Sequence, residues 1–68
     1  MSEGLGNHIK HYRTEAGLTQ ADLASACNVS RKTINTVENG VFIPSTVLAL
    51  KIAAVFARPV EEIFWLED

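Results

Sequence analysis

Apolar residues recur along the chain at the three- and four-residue intervals that are typical of amphipathic helices. The first such stripe consists of Leu5, Ile9 and Tyr12. It predicts a first helix over residues 4–16. Gly17 follows directly, and glycine is the residue that most often lies just past a helix end, so we expect the chain to turn there.

Two short helices joined by a tight turn are predicted next. Thr19 is a suitable N-cap for a helix over Gln20–Cys27, and Ser30 is a suitable N-cap for a helix over Arg31–Glu38. Asn28 falls at the corner between them, where a left-handed backbone is needed and asparagine tolerates it. The apolar positions expected to pack these helices together are Leu23, Ala24, Cys27, Val29, Ile34 and Val37.

The second half of the chain continues the helical pattern. Asn39-Gly40 resembles a hairpin turn, but the helical pattern before it favours Gly40 as the residue past a helix end. After a loop over Val41–Pro44, a fourth helix is predicted over Thr46–Ala57 with Ser45 as its cap. This helix is apolar around most of its circumference, which is typical of a buried helix.

Arg58-Pro59 ends the fourth helix, because a residue before proline avoids the α region. One more helical turn is predicted over Val60–Phe64, and the aromatic segment Phe64–Glu67 is expected to be extended. With 68 residues and 47% hydrophobic content, the chain is predicted to form one small domain, residues 1–68.

Charge and cysteine content restrict the function. The net charge is −2, and four of the eight acidic residues lie in the last eight positions, so we expect only modest charge-driven binding of nucleic acid. Cys27 is the single cysteine, so an intrachain disulfide is excluded, which fits a reducing compartment. We expect Cys27 to act as a small hydrophobic residue of the core. No signal peptide or membrane-spanning run is evident, and we expect a cytoplasmic protein.

The helix pair over residues 20–39 has the pattern of a helix-turn-helix, whose second helix lies in the major groove of DNA. Arg31 matches the acceptors of guanine, Asn35 could pair with adenine, and Thr36 could contact a thymine methyl. Lys32 adds positive charge, whereas Ser30 and Thr33 are expected at phosphates. A solvated helix face is the alternative interpretation of these side chains.

A distributed set of residues carries a resemblance to a known family. The set is Arg13, Gly17-Leu18-Thr19-Gln20, Leu23-Ala24, Val29-Ser30, Thr33-Ile34, Glu38-Asn39-Gly40 and Pro44. Over residues 5–64 the chain resembles the Cro/CI-type helix-turn-helix regulators, in their minimal single-domain form. Asn28 departs from the glycine that many members have at the turn.

The resemblance implies an all-α, compact, five-helix, lambda-repressor-like domain with a short C-terminal extended segment. It implies an ion pair between Arg13 and Glu38, and it places Ser30, Arg31, Lys32 and Thr36 at base-reading positions. Gln20 would meet a phosphate or support a reading side chain, and Asn39 would contact the DNA backbone.

Large apolar side chains near the C-terminus suggest a partner. Phe64, Trp65 and Leu66 either fold back on the fourth helix or pack against a second chain. Because two DNA half-sites require a two-fold dimer, we favour a homodimer formed by the fourth helix, the turn after it and antiparallel pairing of the C-terminal strands, within a dimerisation segment at 60–68. A monomer with a packed tail is the alternative.

The function predicted is sequence-specific binding of double-stranded DNA by a transcriptional regulator, most simply a repressor. No catalytic residues, cofactor or metal are expected: His8 and His11 share a helix face but lack further ligands. Whether Asn7 and Lys10 contact the DNA backbone stays open. The second interpretation is an antitoxin-like protein-interaction module that uses the fourth helix and the tail.

Overall fold

Helices and two terminal strands follow one another in the computed structural model, which describes residues 4–67. The predicted domain 1–68 and its segment 60–68 therefore extend slightly beyond the described part. The elements, in chain order, are β1 (Gly4–Asn7), α1 (Ile9–Glu15), α2 (Gln20–Cys27), α3 (Arg31–Glu38), α4 (Thr46–Phe56), α5 (Val60–Ile63) and β2 (Phe64–Glu67).

Local capping residues set both ends of α2 and α3, and the predicted bounds of these helices are confirmed. The Thr19 hydroxyl accepts from the Asp22 N–H at 3.0 Å, and the Asp22 carboxylate accepts from the Thr19 N–H at 2.9 Å. The hydrogen bond that the carboxylate accepts from the Thr19 N–H is the main cause of the lowered pKa of Asp22. The Ser30 hydroxyl accepts from the Thr33 N–H at 3.1 Å, and Asn28 has the predicted left-handed backbone with φ 58°.

The other helix ends follow the sequence pattern with one adjustment. Gly17 and Gly40 have φ values of 72° and 75° and lie just past α1 and α3, as predicted. Ser45 caps α4 by accepting from the Leu48 N–H at 3.1 Å. The helix ends at Phe56 rather than Ala57, because Ala57 takes the left-handed conformation, with φ 53°, and reverses the chain before Arg58-Pro59.

The prediction that the first helix begins at residue 4 is wrong. Residues Gly4–Asn7 form β1, which pairs antiparallel with β2 in the register Gly4↔Glu67, Leu5↔Leu66, Gly6↔Trp65 and Asn7↔Phe64. Glycine is a poor helix former, and β2 satisfies the backbone of this segment. The predicted extended segment at the C-terminus is confirmed, and its partner is the N-terminal strand of the same chain.

One hydrophobic core joins the helices and the hairpin. Its fully buried side chains come from every helix and are Ile9, Leu23, Cys27, Ile34, Val37, Ile52 and Ile63. The prediction that α4 is buried around most of its surface is wrong in part, because Val47 and Leu50 are more than half exposed. The core takes only the α4 face that carries Leu48, Ile52 and Ala53. Within residues 4–67, none of the helices is long and apolar enough to cross a bilayer.

Cys27 has no exposed surface, and this burial raises the pKa of its thiol, although Lys51 partly opposes the rise. The unfolded thiol ionises above about pH 8.5, whereas the folded thiol stays neutral to higher pH. The buried neutral thiol therefore makes its full contribution to the stability of the fold below about pH 8.5. This contribution is lost as the pH rises through the pKa of the folded thiol. We expect the urea midpoint to fall more between pH 7 and pH 10 for the wild type than for Cys27→Ala, and equal slopes would contradict this.

Candidate nucleic-acid interface

The start of α2 and the middle of α3 are joined by two of the predicted DNA-binding side chains. The Asn35 amide donates to the Gln20 side-chain oxygen at 3.3 Å. Both residues are partly buried. The bond fixes the rotamer of each amide and leaves the Gln20 N–H groups and the Asn35 oxygen for another partner. The pair therefore presents both donors and an acceptor where the two helices cross.

The first turn of α3 carries exposed positive charge on a capped helix end. Arg31 and Lys32 are exposed. Ser30 and Thr33 hold the turn together, since their hydroxyls lie 2.9 Å apart in addition to the capping bond. Their polar atoms are thus already engaged within the helix, whereas Arg31 and Lys32 are free to reach a ligand.

Further along α3, Thr36 and Asn39 differ in what they offer. The Thr36 hydroxyl donates to the Thr33 carbonyl at 2.9 Å, so its proton is used inside the helix. Its methyl group remains for apolar contact. Asn39 is exposed at the C-terminal end of the helix. The structure therefore places all eight predicted residues on or beside α3, but they differ in how many polar atoms are free.

Arg13 and Glu38 form a bidentate pair that ties α1 to the end of α3. Arg13 Nε donates to Glu38 Oε2 at 3.1 Å, and Nη2 donates to Oε1 at 2.9 Å. A third bond runs from Nη1 to the Leu18 carbonyl at 3.0 Å. The side chains are only 14% and 6% exposed. The hydrogen bonds to Glu38 raise the pKa of Arg13, against the opposing effect of burial.

A second contact holds the same end of α3 and involves Asn7. The Asn7 amide donates to the Val37 carbonyl at 3.1 Å and more weakly to the Glu38 carbonyl at 3.4 Å, while its oxygen accepts from the Ile9 N–H at 3.0 Å. Asn7 therefore fixes the C-terminal end of α3 from inside the fold. The sequence alone leaves its role open, because only the strand register brings residue 7 beside residue 37.

The charges are separated by element, although the chain as a whole is acidic. Arg13 neutralises Glu38, which is the only acidic residue of α3. The exposed face of α3 therefore carries the two positive charges of its first turn. Glu61, Glu62 and Glu67 lie on α5 and β2 instead. This separation gives α3 a locally positive surface despite a net charge of −2.

The three residues predicted at a dimer interface have different environments. Phe64 is buried at 8% exposure in the core of its own chain, so it is not free to contact a second one. Trp65 is 38% exposed and lies on Gly6 and on the His8 ring, with ring centroids 4.4 Å apart. Leu66 is 71% exposed. Only Leu66 has most of its surface available.

His8 lies just before α1 and His11 lies on it, and each has one close side-chain neighbour. The His8 ring lies against the Trp65 ring at a tilt of 42°, and His11 lies 3.4 Å from the Glu15 carboxylate. Among residues 4–67, no three histidine, cysteine, aspartate or glutamate side chains come together in an arrangement that could hold a metal ion.

Together these contacts define a helix-turn-helix unit held rigidly by its surroundings. The sequence model of the helix-turn-helix family matches residues 9–63, and the chain belongs to this family, in its Cro/CI-type branch. It is 48% identical over 62 residues to an uncharacterised helix-turn-helix transcriptional regulator of Methanocaldococcus jannaschii, covering 91% of this chain and 94% of that protein.

A second relative agrees with this assignment, and a solved structure shares the fold. An uncharacterised helix-turn-helix transcriptional regulator of Bacillus subtilis is 39% identical over 62 residues, with the same coverage of 91% and 94%. A crystal structure of a protein from Bacteroides fragilis superposes with a TM-score of 0.80 at 23% identity, over 90% of this chain and 98% of that one. This last similarity concerns the fold alone.

Proposed function

We propose that the chain is a sequence-specific DNA-binding regulator that acts as a homodimer, most simply as a repressor, in the cytoplasm and without catalysis. The observation that carries the proposal is the exposed, positively charged first turn of α3, on a helix whose orientation is fixed at its middle and at its C-terminal end. The Gln20–Asn35 bond fixes α3 from the side of α2. Arg13 and Asn7 fix its C-terminal end.

The proposed binding mode follows from which atoms are free. Arg31 and Asn35 read base edges in the major groove, because arginine fits the guanine acceptors and the free Asn35 oxygen can accept from a base amine. The Thr36 methyl contacts a thymine. Lys32, Asn39 and the Gln20 amide contact phosphates, and Ser30 with Thr33 shape the turn that approaches the backbone.

Selection of bound sites from random duplexes, followed by gel-shift titration, tests the proposal. Enrichment of a two-fold symmetric site with half-sites about one helical turn apart is the expected result. The antitoxin-like alternative predicts no enriched sequence and a co-purifying protein instead. Absence of enrichment from the purified chain would therefore contradict DNA recognition.

Arg31→Ala is expected to weaken binding to the selected site by about 2 kcal/mol and to relax the preference at one base pair, because a bidentate contact to a base is lost. Arg58→Ala is the matched control. It removes the same charge from a side chain that pairs with Glu62 and stacks on Tyr12, away from α3. Equal losses for the two variants would show that Arg31 contributes charge alone and reads no base.

A further inference from the structure

The C-terminal end of α3 carries the one asparagine of the chain that a glycine follows. Of the four asparagines, Asn7 precedes a histidine, Asn28 a valine and Asn35 a threonine, whereas Asn39 precedes Gly40. Both Asn39 and Gly40 are exposed. An Asn-Gly step is chemically labile, because no side chain on the glycine hinders the approach of its nitrogen to the asparagine amide.

The reaction of this step needs the chain and water alone. The backbone nitrogen of Gly40 attacks Cγ of Asn39, a new N–C bond forms, and the side-chain amide leaves as ammonia with the proton of the Gly40 N–H. Water then opens the cyclic imide at either of its carbonyls. Breaking the new bond gives an aspartate, and breaking the original peptide bond gives an isoaspartate. Either product carries a carboxylate in place of the neutral amide.

The folded helix end opposes this ring closure. Asn39 has a ψ of 3°, so the Gly40 nitrogen lies beside the nitrogen of Asn39 and is turned away from its side chain. The Gly40 N–H donates to the Val37 carbonyl at 3.1 Å. The next N–H, that of Val41, donates to the Thr36 carbonyl at 2.9 Å. Ring closure therefore requires the last turn of α3 to open, and its rate follows the population of the opened state.

The contacts that fix α3 also hold this turn closed. Arg13 holds Glu38 through two bonds of 2.9 and 3.1 Å. The Val37 carbonyl accepts from the Asn7 amide as well as from the Gly40 N–H. The reacting nitrogen is therefore bonded to the same carbonyl that ties α3 to the N-terminal strand, and loosening of these contacts frees it.

We propose that Asn39 is a site of spontaneous deamidation that weakens DNA binding, at a rate set by the opening of the end of α3. The effect on binding rests on the proposed phosphate contact of Asn39. A carboxylate there repels the phosphate that the amide contacts, and negative charge is also unfavourable at the C-terminal end of a helix. Because ammonia leaves, the chain loses affinity for DNA irreversibly with age.

Ageing of the purified full chain in neutral buffer, followed by peptide mapping with mass spectrometry, tests the modification site. We expect Asn39 to convert while Asn28 stays intact. Asn28 is the matched internal control, since it is exposed at the end of a helix of the same length and precedes a β-branched valine that hinders the attack. Equal conversion at the two positions, or none at Asn39, would overturn the proposal.

The conversion rate in urea and in two variants tests the control by the helix end. The unfolded chain in urea should convert at Asn39 about tenfold faster than the folded chain, or more. Glu38→Gln should be intermediate, because it loosens the last turn of α3. Glu62→Gln removes an exposed partner of Arg58 and should match the wild type. The same rate in the folded, unfolded and Glu38→Gln chains would refute control by the helix end.

Gel-shift titration of Asn39→Asp measures the effect on DNA binding. This variant should bind the selected site about tenfold more weakly or worse, whereas Asn28→Asp, the same change at the end of α2, should bind as the wild type does. Circular dichroism checks that both variants fold. Wild-type affinity in Asn39→Asp would overturn the effect on binding. Conversion at Asn39 in a chain that selects no DNA sequence would uphold the modification site and refute the proposed DNA binding.

Discussion

Glu38→Gln is expected to lower the free energy of unfolding by about 3–4 kcal/mol, because it strands the Arg13 guanidinium in a nearly buried site. A domain of this size has a total stability of only about 3–10 kcal/mol. The variant should therefore be partly unfolded near room temperature, and a urea titration followed by circular dichroism measures the loss.

The pair Arg58–Glu62 provides the matched control for this prediction. It joins the same residue types at 3.2 Å, but the two side chains are 46% and 48% exposed. Surface pairs contribute little, so Glu62→Gln should change the stability by less than about 1 kcal/mol. Similar losses for Glu38→Gln and Glu62→Gln would contradict the view that burial makes the Arg13 pair important.

A double variant shows how much of the loss comes from leaving one charged partner buried without the other. In Arg13→Met/Glu38→Gln the buried cation is absent, so the loss should be smaller than the sum of the two single losses. The Glu38→Gln variant should also bind DNA less tightly than its folded fraction explains, because Glu38 fixes the end of α3 against α1. A binding loss that equals the unfolded fraction would restrict the pair to stability.

The sequence predicts α2 and α3 well because their ends depend on nearby residues. Thr19 with Asp22, Ser30 with Thr33 and the left-handed Asn28 are all local signals, and each lies within three residues of the bond or turn that it forms. The exposed side chains of α3 follow from the same periodicity. Local signals of this kind are therefore sufficient to locate the helix-turn-helix in the amino-acid sequence.

The sequence fails where the structure depends on distant partners. The strand at Gly4–Asn7 exists because it pairs with residues 64–67, and its helical spacing alone cannot show this. The Asn7 contact to the Val37 carbonyl depends on the same pairing. The exposed face of α4 is not predicted either. Its apolar side chains predict burial around most of the helix, and the amino-acid sequence does not show which of them the core of the same chain covers.

Gly6→Ala is expected to cost about 3 kcal/mol, near the upper end for overpacking. A Cβ at position 6 would lie 2.3–2.5 Å from three atoms of the Trp65 ring, which is closer than van der Waals contact allows. The ring must then leave its place between Gly6 and His8, and the strand pairing that holds Asn7 beside α3 weakens with it.

Trp65 is the only tryptophan, so its fluorescence reports this displacement directly. We expect a red-shifted emission maximum and a lower urea midpoint for Gly6→Ala, together with weaker DNA binding because Asn7 no longer fixes the end of α3. Gly4→Ala is the matched control: its Cβ would lie 3.7 Å from the Glu67 side chain, an ordinary contact. If both variants match the wild type, the close approach of Trp65 to the backbone of Gly6 does not constrain the hairpin. A Gly6→Ala variant that is destabilised but binds DNA normally once folded would instead show that the hairpin contributes to stability and not to the position of α3.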